Sequence, residues 1–392
     1  MATSIILPKI MQIGGGALHL LPDTLAALQC QSPCIISDNT MLKLGLVERV
    51  KALLLPHYNH VGVFSDVMPE PNDQSLLAAV ELVRKEKFDC LVALGGGSAI
   101  DSAKAIALLA SHNGIMRDYK VPRIINEHSI PVIAIPTTAG TGSEATKVTV
   151  ITDAESDEKM LCMGPGLMPA AAIIDYELTL SLPPRVAADT GLDALTHAIE
   201  AYVSKKANLF SDQQAIAAMK LIAPNLQLAC QQPENLVAKE AMMIGSNLAG
   251  IAFSNASVAL VHGMSRPLGV HFHVPHGMSN AMLLPLITEY SISHAPKRYA
   301  ECALHMGLVS NIDDINAAQQ ALLKGLRHLN QILKVPSLSD FGIDQRRYFS
   351  LLPTMAEQAL ASGSPANNPR VPDIIEMVEL YTAAWSVSEQ IN

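Results

Sequence analysis

Asp193 and His197 stand four residues apart in the segment DTGLDALTHAIEAY, and on an α-helix two such residues share one face, a turn apart. A carboxylate and an imidazole so placed either hydrogen-bond locally or hold one ion together. Two further histidines follow in the same half of the chain, His262 in VHGMSRPLG and His276 in VPHGMSNAMLLP. Pro267, Gly269 and Pro275 lie between them and break any single helix, so the fold must converge these two from separate elements. Three neutral imidazoles and one carboxylate around a divalent ion leave one net positive charge and room for a further ligand. That describes a Lewis-acid catalytic centre rather than a closed structural one. Nitrogen and oxygen donors suit Fe(II), Zn(II), Co(II) or Ni(II), with raw affinity favouring zinc over iron. His271 and His273, in GVHFHVPHG, alternate in a way that predicts one facing the site and the other packing.

A second chemistry is written in the first half. Gly95, Gly96 and Gly97 follow the apolar run CLVAL and precede SAIDSAKAIALLA, with Ser98 in a capping position. Glycines there let backbone N–H groups approach a pyrophosphate, and a helix N-terminus supplies partial positive charge to hold it. The loop is neither GxGxxG, since Ile100 takes the third glycine's place, nor a Walker A loop, and an ordinary strand-to-helix turn reads the same way. The segment IPTTAGTGSEAT puts Thr137, Thr138, Thr141 and Ser143 after a second apolar run. These hydroxyls either bond ribose and phosphate oxygens or cap the next helix. Asp38 closes PCIISD, where a carboxylate accepts from an adenosine ribose and repels a 2′-phosphate, or simply starts a turn. Gly14, Gly15 and Gly16 lack a long buried strand behind them and read as the entry to the first helix.

The elements that must position these groups change character along the chain. From about residue 30 to 180, PCIISD, HVGVFSDV, CLVALGGG, PVIAIPTT, VTVITD and AAIID alternate with helical patterns, the signature of βαβ units around a parallel sheet. After Pro183 and Pro184, Ala- and Leu-rich segments with helical spacing take over. The expected organisation is an α/β nucleotide-binding domain over 1–182 and an all-helical domain over 183–392, with 362–373 a loop before the last helix.

Composition limits the rest. A chain of 392 residues exceeds what one ordinary core supports. Charged residues make up only 16% of it, so much surface is expected to be hidden in cores or subunit interfaces. A net charge of −9 with no polybasic block argues against nucleic acid as a partner. No segment is read as a membrane span, the opening MATSIILPKIMQIGGG does not read as a signal peptide, and the chain is expected to be cytoplasmic. Cys30, Cys34, Cys90, Cys162, Cys230 and Cys302 form no CxxC pair and read as reduced structural thiols.

Together, LGGGSAIDSAK, PTTAGTGSEAT, GLDALTHAIEAY, VHGMSRPLG and VPHGMSNAMLLP resemble the iron-containing (group III) alcohol dehydrogenases, over essentially the whole chain. The resemblance implies a dehydroquinate synthase-like α/β domain that binds NAD, a helical domain that binds iron, with zinc as an alternative, and an active site in the cleft between them. It places the metal ligands on Asp193, His197, His262 and His276, and the phosphate loop on Gly95 to Ser98 with Asp101. The threonine loop falls on Thr137, Thr138 and Thr141, a lysine near the nicotinamide ribose on Lys159, and the mark of NAD preference on Asp38. The implied activity is hydride transfer between a small alcohol or aldehyde, a diol or hydroxy acid included, and the nicotinamide, in a homodimer or larger assembly. A lyase or cyclising enzyme of the dehydroquinate synthase type uses a similar scaffold and is the rival reading.

Two positions depart from the family pattern. Many members carry a second histidine, close to substrate, four residues after the third ligand; here it is Arg266. Where members with PNP carry asparagine, this chain has Glu70 in PEP. With Arg266 in that place the alcohol proton is expected to leave through water, the cofactor ribose, His271 or His273. A guanidinium is also a planar, permanently charged fork suited to a carboxylate, which predicts some preference for small acidic substrates unless Arg266 is salt-bridged within the fold.

Overall fold

Strands covered on both faces need continuous apolar sequence, and four runs of the first half, PCII, CLVALG, VIAIP and AAII, are buried at every residue. The computed structural model describes residues 3–389 and divides the chain into two units, Met1–Ser181 and Leu182–Asn392. The strands of the first unit are β1 (Ile10–Ile13), β2 (Pro33–Ile36), β3 (Gly62–Phe64), β4 (Cys90–Gly95), β5 (Val132–Pro136), β6 (Val148–Thr152), β7 (Lys159–Met163) and β8 (Ala171–Ile174). Its helices are α1 (Leu21–Ala27), α2 (Asn39–Lys43), α3 (Leu46–Leu54), α4 (Leu77–Glu86) and α5 (Gly97–Ser111).

Six strands form one parallel sheet in the order β1-β8-β5-β4-β2-β3. An apolar cluster covers each face: one around Ile36, Leu91, Ile106 and Leu108, the other around Leu25, Ile35, Val92 and Ile173. The chain runs from β2 out to β3 and then crosses to the other side of β2 for β4, so the strand order reverses between β2 and β4. Grooves at such reversals, beyond the carboxyl ends of the strands, are where open α/β sheets take ligands.

One strand departs from expectation. VTVITD does not join the parallel sheet; as β6 it pairs antiparallel with β7, Val150 opposite Leu161. The reason is visible in its alternating burial, which marks a hairpin with one covered face, whereas the sheet strands are apolar throughout.

The second unit holds α6 (Pro184–Val203), α7 (Leu209–Gln231), α8 (Leu236–Asn255), α9 (Leu260–Phe272), α10 (His276–Ser291), α11 (Pro296–His305), α12 (Ile315–Ile332), α13 (Gln345–Ala361) and α14 (Ile374–Glu389). No strand occurs here among the described residues. Pro184 opens α6 at a position where its missing N–H costs nothing, and from Gly191 to Val203 every residue is buried, which makes α6 the central helix. Helix α8 is long and apolar enough to cross a membrane by length and composition, but it is largely buried and packs against α6 and α7. All six cysteines are free and buried.

The expected break between the two later histidines is present, at His273 to Pro275, and puts them on different helices, but Pro267 and Gly269 do not make it. Helix α9 continues through both and ends only at His273, whose φ of 55° is left-handed. The backbone bond lost at Pro267 is outweighed by burial of Leu260, Val261, Met264 and Leu268 on the same helix.

Candidate metal centre and glycine loop

Helix α6 presents Asp193 and His197 on one face, α9 presents His262 in its first turn, and α10 begins with His276. One donor atom from each of these four residues lies within 4.8 Å of the others. Asp193 Oδ1 is the common point: the Nε2 atoms of His262, His276 and His197 stand 3.5, 3.7 and 3.8 Å from it. Three of the four side chains are at most 5% exposed, whereas that of His276 is 45% exposed, so the centre opens on the His276 side. His197 stacks on Phe253 of α8 and on His262, which holds its ring edge toward Asp193.

Three residues that sequence reasoning missed complete the arrangement. Glu200 accepts from Ala259 N and Val261 N, and its Oε2 lies 2.6 Å from His262 Nδ1. The carboxylate therefore fixes the tautomer with Nδ1 protonated and aims the Nε2 lone pair at the centre, the usual support of a metal-bound imidazole. The signal was present, because Asp193, His197 and Glu200 follow the i, i+4, i+7 spacing of one helix face. Asn280, one turn after His276, donates to Asp193 Oδ1 at 2.7 Å, and its amide nitrogen lies 3.1 and 3.2 Å from Nε2 of His262 and His276. Gly277 lets α10 rest on α6: a Cβ there would stand 2.3 Å from the Asp189 carbonyl oxygen.

Electrostatics match the donor set. Burial alone would raise the Asp193 carboxyl, but the surrounding imidazoles hold it below the usual carboxylate range. Burial opposes charge on His262, yet Glu200 and Asp193 prevail and push it up to about 9. The two effects are reciprocal, carboxylates and imidazoles packed against one another, and the resulting set of nitrogen and oxygen donors fits a divalent cation.

In the first unit, Asp38 and the glycine loop follow β2 and β4, the two strands that flank the sheet reversal. Asp38 caps α2 through Oδ1, accepting from Thr40 N and Met41 N. Its Oδ2 stands 3.3 Å from where a Cβ of Gly95 would be, a residue held at φ 149°. A side chain at Gly97 would meet Thr141 at 2.8 Å and one at Gly96 would meet Thr138 at 3.4 Å, so the two expected loops lie against each other.

The Ser98 cap and the alternation of His271 and His273 depart from expectation, and the neighbouring residues take the following places. Ser98 does not cap α5: the cap is Gly96, and the Ser98 hydroxyl donates to the Pro69 carbonyl, because it already lies within the first turn. Asp101 turns inward, accepting from Ser143 Oγ and Val150 N, and thereby ties α5 to the β6 hairpin. Thr137 is buried beneath the loop, while Thr138 and Thr141 are partly open. Lys159 pairs with Glu70 at 3.5 Å, so the residue that departs from the family pattern finds a partner in the expected cofactor lysine. His271 and His273 do not alternate along a strand: His271 lies in α9 with Nε2 2.8 Å from Gln358 Oε1, and His273 is the exposed residue that ends the helix. Gly14 to Gly16 lead into the first helical turn as expected, with the Asp175 carboxylate accepting from Gly16 N and Leu18 N.

Comparison with known proteins decides the family. The model for "Iron-containing alcohol dehydrogenase" matches residues 8–176, and that for "Fe-containing alcohol dehydrogenase family, C-terminal" matches 187–385. The chain belongs to the iron-containing alcohol dehydrogenases. Long-chain-alcohol dehydrogenase 1 of Geobacillus thermodenitrificans (strain NG80-2) is 38% identical over 90% of each chain. The crystal structure of a 1,3-propanediol oxidoreductase superposes with a TM-score of 0.93, at 32% identity over 98% of this chain and 100% of the other. A sulfoacetaldehyde reductase from Bifidobacterium kashiwanohense, solved with NAD+, gives 0.88 at 28% identity over 98% and 99%. The lyase reading left open by the shared scaffold gives way to this dehydrogenase family.

Proposed function

We propose that this iron-containing alcohol dehydrogenase interconverts small alcohols and aldehydes with NAD, and that a divalent ion, Fe(II) rather than Zn(II), is held by Asp193, His197, His262 and His276. The observation that carries the reading is the convergence of those four donor atoms within 4.8 Å. When bound, the ion polarises the alcohol oxygen as a Lewis acid and the nicotinamide accepts the hydride. Asp193 supplies the negative charge that anchors the cation, while Glu200 and Asn280 keep the imidazoles and the carboxylate aimed at one point. His276, on the open side, borders the approach of the substrate. His273, three residues earlier and exposed, is positioned to hand the alcohol proton to water, and a His273→Ala enzyme with an unmoved pH–rate profile would dismiss that role.

For the cofactor, we assign the pyrophosphate to Gly95, Gly96, Gly97 and Ser98 at the start of α5, with Thr138 and Thr141 beside it. Thr137 and Asp101 act from beneath by shaping the loop. The free oxygen of Asp38 takes the adenosine ribose, which favours NAD over NADP, and Lys159 with Glu70 lines the nicotinamide end. We place the protein in the cytoplasm and as a homodimer or larger assembly, the assembly supported by its 16% charged residues and by exposed Leu209, Val237 and Ile375.

The test is anaerobic purification with metal analysis and an NAD+ reduction screen over alkanols, diols and hydroxy acids. The expected result is about one equivalent of metal per chain, lost in Asp193→Ala together with activity. Full activity in metal-free protein would overturn the reading.

A further inference from the structure

Arg266 sits on α9 one turn beyond His262, on the same helix face, and only partly open to solvent. Sequence left two roles for it, a structural ion pair or the capture of an anion. Among the described residues Arg266 has no hydrogen bond, ion pair or aromatic partner. Burial pulls its pKa below the usual arginine value, and Glu200 is the one acid whose charge opposes that pull. Glu200 cannot serve as its partner, because both carboxylate oxygens are already engaged by Ala259 N, Val261 N and His262 Nδ1. Elsewhere in this protein, well-placed arginines are paired: Arg185 with Asp189, Arg298 with Asp212, Arg370 with Glu376. A guanidinium stays charged in proteins, and drawing one partly out of water without a counter-charge is costly. Such a cation next to a metal centre is matched when a ligand brings the missing negative charge.

We infer that Arg266 is an oxyanion clamp, and that the preferred substrate carries a carboxylate or equivalent oxyanion a short distance from its alcohol or aldehyde carbon. This inference rests on the dehydrogenase reading and narrows its substrate class. Residues four apart on a helix have Cβ atoms about 5–6 Å apart, so roughly two to four carbons separate the anionic group from the reacting oxygen. The class is therefore short ω-hydroxy acids and their semialdehydes. The planar fork makes two parallel bonds to such a group, which a lysine cannot reproduce.

The experiment uses metal-loaded wild type, Arg266→Ala and Arg266→Lys, checked for equal metal content and helicity. Specificity constants are measured on two matched pairs, 4-hydroxybutyrate against 1-butanol and succinate semialdehyde against butyraldehyde. Binding of succinate, which cannot react, is titrated calorimetrically. The wild type is expected to favour the anionic member of each pair. That preference should fall about tenfold or more in Arg266→Ala and by less in Arg266→Lys, as one strong charged interaction implies. Succinate affinity should fall in parallel and weaken with added salt. Equal losses on both members of a pair, or succinate bound as well by Arg266→Ala as by wild type, overturns the clamp. Should no alcohol or aldehyde be turned over by any form, the dehydrogenase reading fails by itself, and the succinate titration alone then upholds or overturns the clamp.

Discussion

Of the four proposed ligands, His262 is the most constrained by its surroundings, and Glu200 is the cause. A 2.6 Å contact from Glu200 Oε2 to His262 Nδ1 orients the ring and raises its basicity, so metal affinity is expected to depend on a residue outside the proposed ligand set. Glu200→Gln keeps the shape but removes the charge, and metal affinity is expected to drop by about 10–100-fold, read by chelator competition. Unchanged affinity would make Glu200 a packing residue only. At this scale the sequence was readable where spacing is local: Asp193 and His197 are one turn apart, and Glu200 extends the same face. Asn280 was not readable, because its part depends on α10 reaching the Asp193 of α6, a distance of 87 residues along the chain.

Helix placement depends on small contacts that leave no periodic trace. Gly277 brings the start of α10 against the Asp189 carbonyl oxygen, and Gly277→Ala would insert a Cβ 2.3 Å from it. Helix α10 must then shift, taking His276 off the shared point, so weaker metal binding with intact α/β structure is expected by metal titration and circular dichroism. In the other unit, Lys104 of α5 is fully buried with Nζ 2.7–3.2 Å from five oxygens of Ser143, Thr146 and Val148, which pins the threonine-loop hairpin to the helix behind the glycine loop. Lys104→Met strands those acceptors and is expected to cost about 3 kcal/mol or more, measured by urea unfolding. Burial pulls the Lys104 ammonium from 10.5 down to about 8. Between those values the unfolded chain holds more protons than the folded one, so this group's contribution is full above 10.5 and is lost as pH falls through 8. Wild type should therefore gain stability from pH 8 to 10.5 relative to Lys104→Met, and parallel pH curves would count against a depressed pKa. Element type was legible wherever burial is two-sided or helical spacing is long. What failed was the sheet partner of β6, since a half-covered hairpin and a sheet strand share β-branched residues, and the helix end at Pro267, where packing outweighed a local breaker.

For the whole molecule, all four proposed metal ligands lie in the helical unit and the proposed cofactor residues in the other. A bound ion at a thousand times its Kd stabilises the native state by about 4 kcal/mol. Chelation is thus expected to lower amide-exchange protection in α6, α9 and α10 and leave β4, β5 and β8 unchanged, followed by hydrogen-exchange mass spectrometry. Equal loosening of both units would contradict the assignment of the ligands to one of them. The order of the parallel sheet could not be read from sequence, since strand runs announce themselves but their neighbours do not. That order has a consequence during synthesis. Strand β1 pairs in the sheet with β8, Ile10 beside Ala171, and Asp175 just beyond β8 clasps the Gly16 turn that follows β1. A ribosome adding roughly 5–20 residues per second needs some tens of seconds at the slower rate to deliver that partner. Of the strands of this sheet, the first made is therefore the one that must wait longest, without a neighbour until the last strand of the sheet is made.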